Sequence, residues 1–185
     1  MIISTTGLSM VAVGSQDDTW ALPMAARALG CLGEAGLDVL MFSQSFSEHS
    51  LNLVVREQDQ AHCLQVLRRE FEHGRQGSVC NLETKEKVAT ISVVGAPVQG
   101  ALEPGWNETG IVSHAFSALG KHGTRVIAVA QAATEYSVSF CIPEDQVTDA
   151  VRFLHRELGL DGGHTSAHVA DPLDAGQAGA VMASA

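Results

Sequence analysis

Gln44 and Gln131 stand 87 residues apart (131 − 44 = 87). Each is followed four residues on by a glutamate, Glu48 or Glu135, and six on by a serine, Ser50 or Ser137. A glutamine amide both donates and accepts, so it can read a small polar group such as a hydroxyl. Asp17 and Asp18 form an acidic pair ahead of Pro23, a residue suited to the first turn of a helix. That pair can bind an ammonium, hold a metal, or cap the helix that follows. Backbone N–H groups at a helix start suit a carboxylate. Side-chain oxygens from Asp17, Asp18 or Gln44 suit an ammonium, so the set fits a free amino acid.

Other chemistries lack their residues. No Gly-x-Ser-x-Gly elbow surrounds Ser45, Ser47 or Ser50. No phosphate-cradling glycine loop of the Walker type occurs. Cys31, Cys63, Cys80 and Cys141 form no close pair, and the 8 histidines are scattered. The cysteines read as reduced thiols in a cytoplasmic protein with no disulfide framework and no metal site. No catalytic residue and no cofactor is expected. With Lys+Arg 11 against Asp+Glu 21, the net charge of −10 argues against nucleic acid and against anionic membrane surfaces. No apolar run reaches the roughly 18–20 residues of a membrane span.

The elements that position these residues repeat. Gly33–Val39 reads against Gly120–Val126, and Leu67–Phe71 against Leu154–Leu158, both at the offset of 87 (120 − 33 = 87). Upstream, Val11-Ala12-Val13-Gly14 matches Ser92-Val93-Val94-Gly95 at 81 (95 − 14 = 81). The loop after the first strand is then six residues longer in the second copy (87 − 81 = 6). Each copy reads strand, helix, strand, strand, helix. The first strands are Leu8–Val13 and Ala89–Val94, short apolar runs. One first helix carries an Ala25, Ala28, Leu29 and Leu32 stripe. The other carries Ile111, Val112, Ala115, Phe116 and Leu119, with Asn107 or Thr109 as cap. Gly36 and Gly123 suit the left-handed helix stop. The paired strands are Leu37–Phe42 with His49–Val55, and Thr124–Val129 with Tyr136–Ile142. The second helices span roughly 58–72 and 144–158. A closing strand is expected at Ser78–Leu82, with no equivalent found for the second copy. This β-α-β-β-α-β order is the ferredoxin-like split βαβ unit. The division expected is 1–87, 88–160 and a flexible Gly/Ala-rich tail, 161–185.

The stretches Ser43–Leu53 and Ala130–Phe140 resemble a family motif, the Gln-x-x-Ser-Glu-x-Ser-Ile-Ser run of the ACT domains in the regulatory region of aspartate kinases. Ala89–Gly95 resembles the opening strand of their second ACT domain. The versions here look most like the bifunctional aspartate kinase–homoserine dehydrogenases. The resemblance implies an α+β fold of two ferredoxin-like (βαββαβ) ACT domains in tandem, with side-by-side antiparallel sheets and helices on one face. It implies a non-catalytic module that binds threonine or lysine for feedback control of aspartate kinase. It further implies a homodimer, with an aspartate kinase catalytic chain as a further partner. Matched by position, the effector contacts are Ser15, Gln16, Asp17, Asp18, Asp38, Gln44 and Gln131, together with the loops at Gly14 and Gly95. The chain departs from the family in these loops. It also carries Asp38 and Arg125 where the family commonly has asparagine. These departures favour, as the alternative, a ligand-free dimerisation or scaffolding module. The family's Lys-Phe-Gly-Gly motif is absent, so the chain is not expected to phosphorylate aspartate by itself.

Overall fold

The computed structural model describes residues 1–15, 22–45, 49–72, 80–94, 106–131, 137–160 and 168–169. In chain order the elements are β1 (Ile2–Ser15), α1 (Leu22–Glu34), β2 (Met41–Ser45), β3 (Ser50–Arg56), α2 (Gln60–Glu72) and β4 (Cys80–Val94). They continue with α3 (Trp106–Lys121), β5 (Ala128–Gln131), β6 (Ser137–Pro143), α4 (Val147–Glu157) and β7 (His168–Val169). Short 3-10 turns, Glu57–Asp59 and Glu144–Gln146, lead into α2 and α4.

The chain divides into two compact units. One is Leu8–Val88; the other is Met1–Gly7 together with the residues from Ala89 onward. The expected boundary at 87/88 thus falls one residue from Val88, but the first seven residues belong with the second copy. Both long strands serve both units: β1 runs beyond the short strand expected at Leu8–Val13, and β4 joins the strand expected at Ala89–Val94 to the end of the one expected at Ser78–Leu82.

In the Leu8–Val88 unit the strand order is β2-β3-β1-β4. Val11 pairs with Leu53 and Val13 with Leu51, antiparallel. These residues alternate along their strands and so share one face. Met24, Ala25, Ala28 and Leu32 of α1 and Cys63, Leu67 and Phe71 of α2 join them in one buried cluster, so both helices cover that face. Arg27 ties the helices together: its Nε donates to Glu70 Oε1 at 2.8 Å, and its guanidinium lies 5.0 Å over the Phe71 ring. A half-exposed pair of this kind contributes about 0–1 kcal/mol.

In the second unit the order is β1-β4-β6-β5, and β1 contributes its first half. The strand sought for the second copy is therefore the chain's own start. The Val94 N–H donates to Met1 O at 2.8 Å, and the Met1 amine donates to Val94 O at 2.7 Å. Ile2 enters the core with Ile91, Val93, Phe140, Leu119 and Leu154. β7 adds a short parallel pairing, Ile3 with His168 and Ser4 with Val169. The remainder of the expected tail lies outside the described residues.

Burial corrects the register of the repeat. Leu8–Gly14 and Val88–Val94 show the same order of buried and half-buried positions, which aligns them at 80 (88 − 8 = 80), not 81. A one-residue slip in a strand turns every side chain to the other face, so only this alignment keeps Val11 and Val13 with Ile91 and Val93 in the cores. The extra loop length becomes seven residues (87 − 80 = 7). The same alignment places Gly7 (φ +69°) opposite Lys87 (φ +54°) in the repeat, so both long strands take a left-handed residue where they pass from one unit to the other.

The helix stops form as expected. Gly36 and Gly123 have φ near +70°. Leu37 N–H donates to Leu32 O at 3.0 Å and Thr124 N–H to Leu119 O at 2.9 Å, the six-to-one bond that closes a Schellman turn. β2 starts at Met41, later than expected; residues 37–40 form no regular element, although the Leu40 N–H already donates to Val54 O at 2.8 Å. α3 starts at Trp106, which places Asn107 and Thr109 inside the helix.

One buried atom works against stability. Ser9 is 0% exposed, and its Oγ has no hydrogen-bond partner among the described residues. The equivalent residue of the second copy is Ala89, also fully buried. Ser9→Ala should therefore raise stability by about 1 kcal/mol, since the desolvated hydroxyl gains nothing in return. Chemical denaturation checks this; a loss of the same size would show that the hydroxyl has a partner.

Candidate effector site

Antiparallel registers bring one group of the expected residues together. Gly14 pairs with Ser50, and Ser50 with Ser45 of β2. One step back, Val13 pairs with Leu51 and Leu51 with Gln44. Directly opposed residues share a face. Gln44 therefore lies on the helix-covered side, beside two fully buried residues, yet is itself exposed because β2 is an edge strand.

The start of α1 lies at this same end. The 13 residues of α1 give a rise of about 20 Å. The step from Gly14 to Leu8 along β1 covers about the same length. The helix leaves the Gly14 end and returns the chain to Asp38, near the other end of the sheet. Its free N–H groups and positive dipole end thus face the region of Gly14 and Gln44. The end of the sheet that carries Gly14 and Gln44 is thus the end from which the chain enters α1. Gln16, Asp17 and Asp18, expected to complete this edge, lie outside the described residues, and Ser15 closes β1.

Asp38 does not join them. Leu8 pairs with Arg56, and Arg56 Nη1 donates to Asp38 Oδ2 at 2.9 Å, with Asp59 Oδ2 at 3.7 Å. This end is six residues from Gly14 along β1 (14 − 8 = 6), about 20 Å. Asp38 is spoken for as the exposed partner of a mostly buried arginine, whose side chain is 15% exposed.

In the second copy Gln131 ends β5, pairs with Val138 and is exposed, as Gln44 is beside Leu51. Its neighbouring loops, including Gly95, lie outside the described residues. The position equivalent to Gly14 is Val94. Among the described residues, a Cβ on Gly14 would meet only Asn81 O, at 3.8 Å.

Sequence reasoning missed Phe42. It is 54% exposed and pairs with Leu53, which puts it two residues from Gln44 on the same side of the edge strand. The sequence marked it only as the end of the expected strand Leu37–Phe42; the strand order reveals the edge. Among the described residues, no group of three His, Cys, Asp or Glu side chains gathers as a metal site. No helix among them is long and apolar enough to cross a membrane.

The doubled βαββαβ unit, its interleaved first strands and the paired glutamines can be set beside known proteins. A family model described as ACT domain matches residues 23–71 and 91–158, more than half of the chain. The chain belongs to the ACT domain family. This ACT pair is similar to a bifunctional aspartokinase/homoserine dehydrogenase of Haemophilus influenzae, 28% identical over 158 residues, covering 85% of this chain and 18% of that protein. It is 31% identical over 137 residues to the chloroplastic bifunctional aspartokinase/homoserine dehydrogenase 2 of Arabidopsis thaliana, covering 74% of this chain and 14% of that one. The chain thus spans less than a fifth of the length of these curated relatives. Among solved structures, the regulatory subunit of aspartate kinase from Thermus flavus superposes with a TM-score of 0.67 at 18% identity, covering 85% of this chain and 96% of that one. The aspartate kinase from Synechocystis gives 0.69 at 21%, covering 91% and 28%. At these identities the structural likeness shows the fold: two ACT segments of mixed α+β structure. The resemblance to bifunctional aspartokinase/homoserine dehydrogenases expected from the residues is found among the curated relatives.

Proposed function

We propose that this ACT pair is a non-catalytic amino-acid sensor. It binds threonine or lysine and regulates an aspartate kinase activity, carried on an associated catalytic chain or on the remainder of a longer protein. The observation that carries the reading is the register that sets Gln44 beside Leu51 and Val13 at the Gly14 end of β1, the end from which the chain passes on to α1. In this reading, backbone N–H groups at the start of α1 would receive the carboxylate of an amino acid. The Gln44 amide would read its side chain, and Asp17 or Asp18 would supply the ammonium contact. The family supports feedback control as the use of such a site. The exposed edge of β2, with Phe42 beside Gln44, supports homodimerisation through that edge. Regulation then works as a population shift, the effector favouring one arrangement of the domains.

Gln44→Ala is expected to weaken effector binding by about 1–3 kcal/mol, roughly 5- to 150-fold in Kd, through the polar groups left unpaired. Isothermal calorimetry on the variant and on Gln131→Ala reads this directly. Affinity unchanged in the Gln44 variant would remove that residue from the site.

A further inference from the structure

Where α3 and α4 end, their side chains converge on one imidazole. His122 follows α3, and its ring stacks on Phe153 of α4 at 3.7 Å between centroids and 11° between planes. Arg156 lies 5.6 Å over the same phenyl ring, and its Nη2 is 3.0 Å from His122 Nε2. Glu157 Oε1 stands 3.6 Å from that nitrogen and 3.8 Å from Arg156 Nε, while its Oε2 accepts from Lys121 Nζ at 3.2 Å. The charged groups gathered at the ring are therefore Lys121 beside it in the chain and Arg156 and Glu157 on α4.

A guanidinium has five donors and no acceptor. The Arg156 contact therefore requires a bare Nε2, which leaves the proton of the neutral ring on Nδ1. A second proton would go to Nε2, and that nitrogen would then face a cation it can no longer bind and a carboxylate it can. We propose that His122 is a proton-operated latch between α3 and α4. The neutral ring accepts from Arg156 through Nε2; the protonated ring releases Arg156 and donates the same N–H to Glu157.

Two features favour the charged form's new partner. Glu157 is kept ionised, since the hydrogen bond and charge of Lys121 hold its carboxyl below the ordinary range, with His122 and Arg156 adding to this. The C-terminal end of α3 also favours a cation in its last turn. The stack on Phe153 holds the ring in place in both states, so the exchange rewires Arg156 without unpacking the helices. The latch thus makes the far end of α3 responsive to protonation of this ring. It is independent of the effector reading.

Long-range proton–nitrogen NMR on the whole chain tests it. At about pH 8 the His122 proton is expected on Nδ1, and Arg156→Ala is expected to return it to Nε2. Glu157→Gln is expected to move the midpoint of the ring's titration to lower pH, since the protonated form loses its carboxylate. Arg156 and Glu157, the residues altered, are at least partly exposed, so the variants fold. A neutral ring protonated on Nε2 in the unaltered protein would overturn the proposal. So would a tautomer indifferent to Arg156, or a midpoint indifferent to Glu157.

Discussion

Phe140→Ala is expected to lower the stability of the unit built from Met1–Gly7 and the residues from Ala89 onward by about 3–5 kcal/mol. Phe140 is fully buried and lies among Ile91, Val93, Leu119 and Leu154. Its ring also meets Phe116 edge-on, 5.0 Å between centroids at 82°. Truncation removes the transfer free energy of the ring, leaves a cavity in a close-packed core, and forfeits the aromatic pair. Phe116 is 43% exposed, so any movement of its ring into the vacated space buries apolar surface and recovers part of the loss. Against a typical domain stability of about 5–15 kcal/mol, such a loss is a large fraction of the whole. The equivalent residue of the first copy is Leu53 (140 − 53 = 87), also fully buried, and Leu53→Ala should cost about 2–5 kcal/mol in its own unit. Urea denaturation monitored by tryptophan fluorescence and by amide protection separates the two.

Ile2→Asp is expected to be at least as damaging, and to damage the part of the chain most distant in sequence. Ile2 is 3% exposed within the second core. A carboxylate there would be buried among apolar side chains such as Ile91, Val93 and Phe140, which costs several kcal/mol or forces local unfolding. Hydrogen exchange read by mass spectrometry should show α3 and α4 losing protection while α1 and α2 keep theirs. A serial division of the chain at residue 87 predicts the reverse, with the first copy failing. The experiment therefore discriminates an interleaved pair of domains from a sequential one.

The difference between those two divisions shows what a sequence conceals. The repeat at 87 was legible because β3 and β6, with their alternating apolar residues, carry the same burial order in both copies. Gly36 and Gly123 were legible because a left-handed helix stop has a narrow residue preference. The role of Ile2–Gly7 was not legible: a strand's partner is set by long-range pairing, which leaves no local mark. The one-residue error in aligning Leu8–Gly14 has a similar source. Gly14 and Gly95 suggested a match of like with like, whereas the alternation of Val11 and Val13 with Ile91 and Val93 is what the core enforces. At the site, Gln44 was found by its recurrence. Asp38 was drawn in by position relative to a glycine, and the strand register sends it to Arg56 at the opposite end. Phe42 was passed over because an apolar residue on an edge strand looks the same in sequence as one in the core.

The central claim is that an amino acid binds beside Gln44, at the end of the sheet from which the chain enters α1. Isothermal titration calorimetry of the intact chain against the twenty amino acids tests it most directly. Saturable heat is predicted with threonine or lysine, and lost or strongly weakened in Gln44→Ala. No heat with any of the twenty would contradict the claim.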